Sequence, residues 1–233
     1  MLSLPFPAPC GALALVAALL ASPCALAQTA CSSDGEPAPR MLLERFLNAD
    51  CEACWADAAT PRPDAGALVL DWIVPRGEDG QAPLAAGATR DAERRLAALR
   101  RAVPRAGTEA VRTPVAGTHG TALRVARGPV VADYVGASIA WTAPLPRGGA
   151  TAWLLLVEAL PPGTDGSPVA RMLVRNALVT TWAPQPGVRR FSESRPMNIP
   201  DGADPERLRV LGWLQDAQGR IVAAAQSRCR PVR

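Results

Sequence analysis

Two cysteines spaced as Cys51-x-x-Cys54 follow directly on an apolar segment, and they constrain the fold of this chain more than any other feature. Residues 41–47 are apolar apart from two charged positions and predict a strand that ends just before Cys51. The Ala-rich stretch from Cys51 onward contains no glycine and predicts a short helix, which Pro61 and Pro63 end. The cysteine pair is therefore expected at the junction of a strand and a helix.

Further elements follow in the first half of the chain. Residues 67–74 form a short, partly β-branched apolar run and predict a buried strand. Thr89 is a good N-cap, and a helix after it places apolar side chains on one face at Ala92, Leu96, Leu99 and Val103. Residues 111–117 predict a strand that Pro114 interrupts, which is typical of an edge strand or a special turn.

The order strand, C-x-x-C, helix and a later strand broken by proline is typical of a thioredoxin-like domain. A cysteine in the first turn of a helix meets unsatisfied N–H groups and the positive end of the helix dipole, which favour its thiolate. Cys51 is therefore predicted to be the catalytic nucleophile, and Cys54 the cysteine that resolves the mixed disulfide. In this fold a cis-proline faces the cysteine pair and docks the substrate, and Thr113-Pro114 is the candidate.

The charges around the cysteine pair oppose a strongly oxidising disulfide. Asp50 and Glu52 flank Cys51, and nearby negative charge disfavours a thiolate. The reduced form is then poorly stabilised, so the disulfide is predicted to resist reduction. Arg45 offsets this effect if its side chain reaches the cysteines.

The second half contains a series of strand-like runs separated by proline and glycine. The last two runs flank a hairpin loop at residues 216–219, and residues 205–207 predict a helical turn. The predicted fold is thus an α/β thioredoxin-like N-terminal domain followed by a mostly β, sandwich-like C-terminal domain. Their expected bounds are residues 40–130 and 131–233, after an extended lead-in at residues 28–39.

Residues 1–27 predict a secretory signal peptide. They carry no charged side chain, contain an unbroken apolar run at residues 11–21, and end in Ala25-Leu26-Ala27, a small-x-small cleavage pattern. The apolar run is roughly half the length of about 20 residues that a bilayer span needs. We therefore predict a periplasmic or secreted protein, cleaved near Ala27, with no retained membrane segment.

The cysteines that remain after this cleavage define the disulfide framework, and they are Cys31, Cys51, Cys54 and Cys229. Four cysteines allow three pairings, and an oxidising compartment favours bonding of all of them. The closeness of Cys51 and Cys54 in sequence favours a bond between these two, which leaves a structural disulfide between Cys31 and Cys229. The second bond requires the two ends of the mature chain to lie close together.

Charge and motif content argue against several function classes. All 25 basic residues are arginines interspersed with acidic residues, so the net charge of +4 gives no argument for nucleic-acid binding. The single histidine and the lack of a G-x-S-x-G arrangement leave a serine hydrolase triad unsupported. The sequence contains no phosphate-binding loop, dinucleotide motif or paired-His metal motif, and no cofactor is expected.

A closer resemblance extends over most of residues 40–226. The blocks that carry it are, in order, Glu44-x-Phe46, Cys51-x-x-Cys54 with Asp57, Thr113-Pro114, "AWLLLVE" around Trp153, "RNALVTTW" with Arg175, Asn176 and Trp182, and "GWLQDAQGRIVAAA". In order and spacing these blocks resemble the bacterial secreted family catalogued as domain of unknown function 1223. The resemblance implies secretion and a thioredoxin-like half, carrying the C-x-x-C, joined to a β-rich half.

Three functions follow from these features. The first is an exported thioredoxin-like thiol-disulfide oxidoreductase or redox-responsive protein that acts on protein thiols or disulfides through Cys51 and Cys54. The second is a non-enzymatic secreted binding or structural module in which Cys51–Cys54 is a static disulfide and the six tryptophans are mainly core residues. The third is Cu(I) binding by Cys51, Cys54 and His119, since two thiolates and one imidazole suit that ion.

Overall fold

The computed structural model describes residues 31–76, 81–117 and 122–229, which form eleven strands and two short helices. The strands are β1 (Cys31–Ser32), β2 (Met41–Asn48), β3 (Ala67–Val74), β4 (Thr108–Pro114), β5 (Leu123–Val131), β6 (Tyr134–Trp141), β7 (Ala150–Leu160), β8 (Arg171–Trp182), β9 (Phe191–Asn198), β10 (Leu208–Asp216) and β11 (Ile221–Gln226). The helices are α1 (Glu52–Trp55) and α2 (Arg90–Ala98), and 3-10 turns lie at Ala85–Gly87, Thr164–Gly166 and Pro205–Arg207. The predicted signal peptide at residues 1–27 lies outside the described residues.

The strands are arranged in two sheets. The smaller sheet is antiparallel and has the order β1-β5-β6-β9. The larger sheet has the order β11-β10-β7-β8-β3-β2-β4, in which β3 pairs in parallel with both β8 and β2, while the other neighbours are antiparallel. Strands from both the 40–130 and the 131–233 segments belong to the larger sheet, so its hydrogen bonding crosses the expected boundary at residue 130.

The larger sheet is covered on both faces around β7, which explains the long apolar run of this strand. Ala152, Leu154 and Leu156 pack in a core with residues of the smaller sheet. Trp153 and Leu155 belong to a second core, on the other face, which includes the apolar side of α2. Because neighbouring side chains of a strand point to opposite faces, a strand buried on both sides is apolar at successive positions.

Helix α2 begins where the sequence predicts but ends earlier. The Thr89 hydroxyl caps the helix by accepting a backbone N–H hydrogen bond from its first turn at 3.2 Å. Arg100 adopts a left-handed conformation with φ 55°, and the Arg101 N–H donates to the Leu96 carbonyl at 2.9 Å, which closes the helix. Val103, predicted to lie on the apolar helix face, is consequently outside the helix and 44% exposed.

The predicted α/β thioredoxin-like fold of the first half is wrong, because the described chain is mostly β. The local order of β2, the cysteine pair, α1 and β3 is present, but α1 is only four residues long. Arg171 donates hydrogen bonds to the carbonyls of Cys54 and Trp55, which a longer helix would use for its next turn. The second parallel neighbour of β3 is β8, which comes from the other half of the chain. The sequence near the cysteine pair does not show that Arg171 binds the carbonyls of α1 or that β8 pairs with β3.

A charged pair is buried between α2 and the larger sheet. Glu44 accepts two hydrogen bonds from the Arg95 guanidinium, each at 2.7 Å, and both side chains are 0% exposed. The Trp72 indole N–H also donates to Glu44, at 3.2 Å. The Arg95 guanidinium lies 5.1 Å and 4.8 Å from the ring centroids of Trp153 and Trp213. Every charge in this group has a partner, and the contacts fix α2 on the sheet.

Gly212, in β10, packs directly against side chains of the smaller sheet, and its replacement is expected to destabilise the protein. A Cβ atom at this position would lie 2.9 Å from Ile139 Cδ1, Val125 Cγ1 and the Trp153 carbonyl. We expect Gly212→Ala to lower the free energy of unfolding by about 1–3 kcal/mol, because the added methyl group would overpack the core. Gly136→Ala is the matched control, since a Cβ at that strand position meets no atom within 4 Å.

Equilibrium unfolding in urea measures the effect of both substitutions, with the disulfides kept intact. The control should change the free energy of unfolding by less than about 0.5 kcal/mol. Equal stabilities of the Gly212→Ala and Gly136→Ala variants would contradict the close approach of the sheets.

Candidate functional site

The Cys51–Cys54 disulfide lies just after β2, where the chain turns into α1. The two sulfur atoms are bonded, and the Cys51 sulfur also accepts a hydrogen bond from the Cys54 N–H at 3.2 Å. Cys51 is the N-cap of α1 and is half-buried, whereas Cys54 is only 6% exposed. Solvent therefore reaches the disulfide mainly on the side of Cys51.

The second cysteine and the residue after it belong to the hydrophobic core. Trp55 is buried, and its indole N–H donates to the Asp165 carbonyl at 2.9 Å. Cys54 and Trp55 pack against buried residues near the ends of β2, β3, β7 and β8, namely Leu47, Ala49, Ile73, Leu160 and Leu173. Movement of Cys54 away from Cys51 would disturb this packing.

Arg171, the first residue of β8, connects α1 to the larger sheet. Its Nη2 donates to the carbonyls of Cys54 and Trp55 at 3.2 and 2.7 Å, and its Nε donates to Ser167 Oγ at 2.9 Å. The guanidinium also lies over the Trp55 ring, 4.9 Å from the centroid. Burial lowers the pKa of this guanidinium, and the nearby Asp71 carboxylate opposes that shift. A side chain from a distant strand thus holds the backbone of the cysteine motif.

Arg45, Asp71 and Arg171 form a buried group of charges, named the arginine cluster below. Asp71 Oδ2 lies 2.6 Å from Arg45 Nη2, and Asp71 Oδ1 lies 3.2 Å from Arg171 Nη1. Asp71 Oδ2 also accepts the Met172 N–H at 2.7 Å. The side chains are 2% exposed for Arg45 and 0% exposed for Asp71 and Arg171. Two guanidinium groups share one carboxylate, so the cluster carries a net positive charge.

A pocket of about 530 Å³ opens beside the arginine cluster, between β3 and the start of β8. In the described residues the register of β3 and β8 contains a single pair, Asp71 and Leu173. The residues that precede this pair in each strand are therefore not paired with each other, and the pocket lies between them. Arg45 and Arg171 line the pocket together with the exposed Arg62. Its other walls are mainly apolar, formed by Pro63, Val69, Pro162, Pro168, Val169 and Met172. We name this cavity the β3–β8 pocket.

The structure does not bring Thr113 and Pro114 to the cysteine pair. The described residues contain no cis peptide bond, so the predicted cis-proline is wrong. In the sheet, Pro114 is paired with Met41, at the end of β2 remote from Cys51. β2 is eight residues long, which separates Pro114 from the disulfide by roughly 25 Å. Pro114 instead ends β4, the edge strand of the larger sheet, where a missing N–H is tolerated.

The acidic residues beside Cys51 are exposed, and the neighbouring arginine serves another partner. Asp50 forms an ion pair with Arg76 at 3.1 Å, with both side chains about half exposed. Glu52, in α1, is also exposed. Arg45, which would offset these acidic charges if its side chain reached the cysteines, instead donates to Asp71.

The described part of the chain does not bring together the three ligands of the predicted copper site. Cys51 and Cys54 are bonded to each other, and His119 lies outside the described residues. Among residues 31–76, 81–117 and 122–229, no group of three His, Cys, Asp or Glu side chains is arranged to hold a metal ion. Within these ranges, neither helix has the length and apolar character that a membrane-spanning segment requires.

The six tryptophans are all buried, as expected for core residues, with exposures between 0% and 8%. They therefore form no aromatic docking surface. The Cys31–Cys229 disulfide is present, and the backbones of Ser32 and Arg228 are hydrogen-bonded beside it. Both disulfides predicted from the sequence thus occur in the structure, which is compatible with an oxidising compartment.

Asp71 and Arg171 are the site residues that sequence reasoning missed. The signal for Asp71 is its place in the middle of the apolar run "ALVLDWIV", since a carboxylate buried in a strand requires a partner. The sequence contains no matching signal for Arg171, which is separated from Asp71 by 100 residues and is one of many arginines.

No family model matches this chain, and no curated protein matches it. Among solved structures, the chain is similar to one described as the crystal structure of chicken MD-1 complexed with lipid IVa, with 10% sequence identity and a TM-score of 0.24. This match covers 48% of the present chain and 92% of the MD-1 chain. A TM-score this low carries no conclusion about fold or function.

Proposed function

We propose that this protein is a non-enzymatic, exported binding module in which the Cys51–Cys54 disulfide is a static staple. The observation that carries this proposal is the attachment of the motif by Arg171, which donates to the carbonyls of both Cys54 and Trp55. The disulfide holds α1 against the arginine cluster, which in turn lines the β3–β8 pocket. The pocket, rather than the sulfur atoms, is the functional part of this site.

The chemistry of disulfide exchange supports a static role. Exchange proceeds through attack on one sulfur, release of the other as a thiolate, and movement of the two apart. Attack at Cys51 would release a thiolate on Cys54, which is only 6% exposed and packed in the core. An apolar environment raises the pKa of a thiol and makes it a poor leaving group.

Export and family membership belong to the same proposal. Export is supported by the signal-like residues 1–27 and by two disulfides, which persist in oxidising compartments. Membership of the family catalogued as domain of unknown function 1223 rests on the order of the sequence blocks alone.

A glutathione redox series tests the static role of the Cys51–Cys54 disulfide. Folded protein is equilibrated across ratios of reduced to oxidised glutathione, its free thiols are alkylated, and the modified cysteines are counted by mass. We expect Cys51 and Cys54 to stay unmodified while the far-ultraviolet circular dichroism remains native, because attack at Cys51 must release a thiolate on the buried Cys54. In urea the same series should modify all four described cysteines.

A Cys31→Ala/Cys229→Ala variant serves as the control for assignment, since it contains a single disulfide within the described residues. The proposal fails if two alkylated cysteines appear in this variant under conditions that leave its circular dichroism unchanged.

A thiol-disulfide exchange function is the second candidate, and the partial exposure of Cys51 favours it. Protein thiols or disulfides would then be its substrates, with Cys51 as nucleophile and Cys54 as the resolving cysteine. Under this alternative a Cys54→Ala variant accumulates mixed disulfides with protein substrates, whereas a Cys51→Ala variant does not. The static role predicts no mixed disulfide with either variant.

A further inference from the structure

We infer that the β3–β8 pocket binds a small monocarboxylate with an apolar body. This inference rests on the proposed binding function and names the ligand class for it. The carboxylate would lie beside the arginine cluster, and the apolar body would occupy the space between β3 and the loop that precedes β8.

The net positive charge of the arginine cluster favours the binding of an anion. Arg45 and Arg171 are buried and share the carboxylate of Asp71, so one buried positive charge has no counter-charge within the cluster. Asp57 attracts Arg171 electrostatically from outside the cluster, but its side chain is exposed to solvent, which weakens this attraction. Asp64, next to the pocket residue Pro63, is also exposed and lies 3.9 Å from Arg112. A buried charge without a counter-charge is strongly unfavourable, and a bound anion would remove this imbalance.

Arg45 also has unused hydrogen-bonding capacity. Its Nε is buried and has no acceptor, although the residue lines the pocket. Its Nη1 donates to the Pro61 carbonyl at 3.2 Å, and its Nη2 donates to Asp71 at 2.6 Å and to the Ala170 carbonyl at 3.3 Å. A guanidinium binds carboxylates particularly well, because its planar donors match the two carboxylate oxygens.

The size and walls of the pocket indicate that the anion has an apolar body. Its volume of about 530 Å³ lies within the range of roughly 300–1,000 Å³ found for small-molecule sites. Val69, Val169 and Met172 contribute apolar side chains from both sides, and three prolines complete the walls. An inorganic anion would leave most of this volume in contact with water, whereas an apolar chain would fill it.

Calorimetric titration of the oxidised protein with octanoate tests this inference. Octanoate supplies a single carboxylate and an apolar chain. Octanol has the apolar chain without the negative charge, and inorganic phosphate has negative charge without an apolar chain. We expect saturable binding of one octanoate per protein, with an affinity at least roughly tenfold higher than for octanol or phosphate.

Arg45→Met tests the role of the cluster and leaves Asp71 paired with Arg171. This variant should bind octanoate at least roughly tenfold more weakly than the unmodified protein and should bind octanol unchanged. Arg124→Met is the matched control, because Arg124 is an exposed arginine of β5 that pairs with Asp34, outside the pocket. Its affinity for octanoate should equal that of the unmodified protein.

Val169→Asp provides a second variant if Arg45→Met does not fold. Val169 is half-buried, lies in the loop before β8 and forms part of the pocket wall. A carboxylate there should abolish octanoate binding through repulsion, while circular dichroism remains native.

The inference is overturned if octanoate does not bind saturably, if octanol or phosphate binds equally well, or if the pocket variants that fold bind octanoate normally. These outcomes leave the static disulfide untouched, because thiol counting measures that separately. Conversely, a disulfide that is reduced in the folded state refutes the proposed function even if octanoate binds.

Discussion

The Asp71→Asn variant is expected to lose about 3–5 kcal/mol of its free energy of unfolding. Asp71 is fully buried and is the carboxylate on which the guanidinium groups of Arg45 and Arg171 converge. An asparagine keeps the shape of the side chain but leaves two buried positive charges side by side without a negative charge. The loss should therefore greatly exceed the value of an ordinary hydrogen bond, which is about 1 kcal/mol.

Asp64→Asn is the matched control for this experiment. Asp64 is 71% exposed and lies 3.9 Å from Arg112, so its ion pair should contribute less than about 1 kcal/mol. Equilibrium urea unfolding with the disulfides intact compares the two variants, and the dependence of unfolding on urea shows whether the transition stays two-state. Equal losses for Asp71→Asn and Asp64→Asn would show that Asp71 is not a buried counter-charge.

A second substitution separates the charge effect from a loss of packing. Arg45→Met, combined with Asp71→Asn, removes one of the two uncompensated guanidinium groups. The double variant should recover part of the stability lost by Asp71→Asn alone, because interacting residues are not additive. If the double variant lost as much free energy of unfolding as the two single variants together, lost packing rather than charge would explain the effect of Asp71→Asn.

Removal of the Cys31–Cys229 disulfide is expected to destabilise the protein by about 5 kcal/mol. This bond joins residues that are 198 positions apart, so it closes a loop that contains all the described residues. In the chain-entropy description, a disulfide restricts the unfolded state more strongly as its loop becomes longer. The same description gives only about 2 kcal/mol for Cys51–Cys54, whose separation is three residues.

Two double variants, Cys31→Ala/Cys229→Ala and Cys51→Ala/Cys54→Ala, measure this difference. The substitutions are identical in kind, and Cys31 and Cys54 are both buried, at 2% and 6% exposure. Thermal unfolding followed by calorimetry and urea unfolding should both rank the Cys31/Cys229 variant as the less stable. The opposite ranking would show that packing around α1, rather than loop closure, dominates the contribution of the disulfides.

Features that depend on neighbours in sequence were predictable. The apolar run at residues 67–74 gave the bounds of β3, and Thr89 identified the start of α2. The loop at residues 216–219 joins β10 and β11, where Asp216 accepts the N–H groups of Gln218 and Arg220. Each of these features is decided by local periodicity, capping or turn chemistry.

Features that depend on distant partners were not predictable. The pairing of β3 with β8 and the contact of Asp71 with Arg171 each join segments about 100 residues apart. The local pattern around Cys51 also occurs in thioredoxin-like domains, and taken alone it predicts that fold. The observed fold differs from the thioredoxin-like one for two reasons. Arg171 donates hydrogen bonds to the carbonyls at the end of α1, and the larger sheet continues into strands from the second half of the chain.

The bond between Cys31 and Cys229 also determines how this protein would respond to mechanical force. Cys31 and Cys229 lie side by side, next to the backbone hydrogen bonds of Ser32 and Arg228. Tension applied to the chain on either side of the described region would pass through the sulfur–sulfur bond and bypass both sheets. The folded region would then act as an inextensible link, and only reduction of that bond would allow the intervening chain to be pulled out.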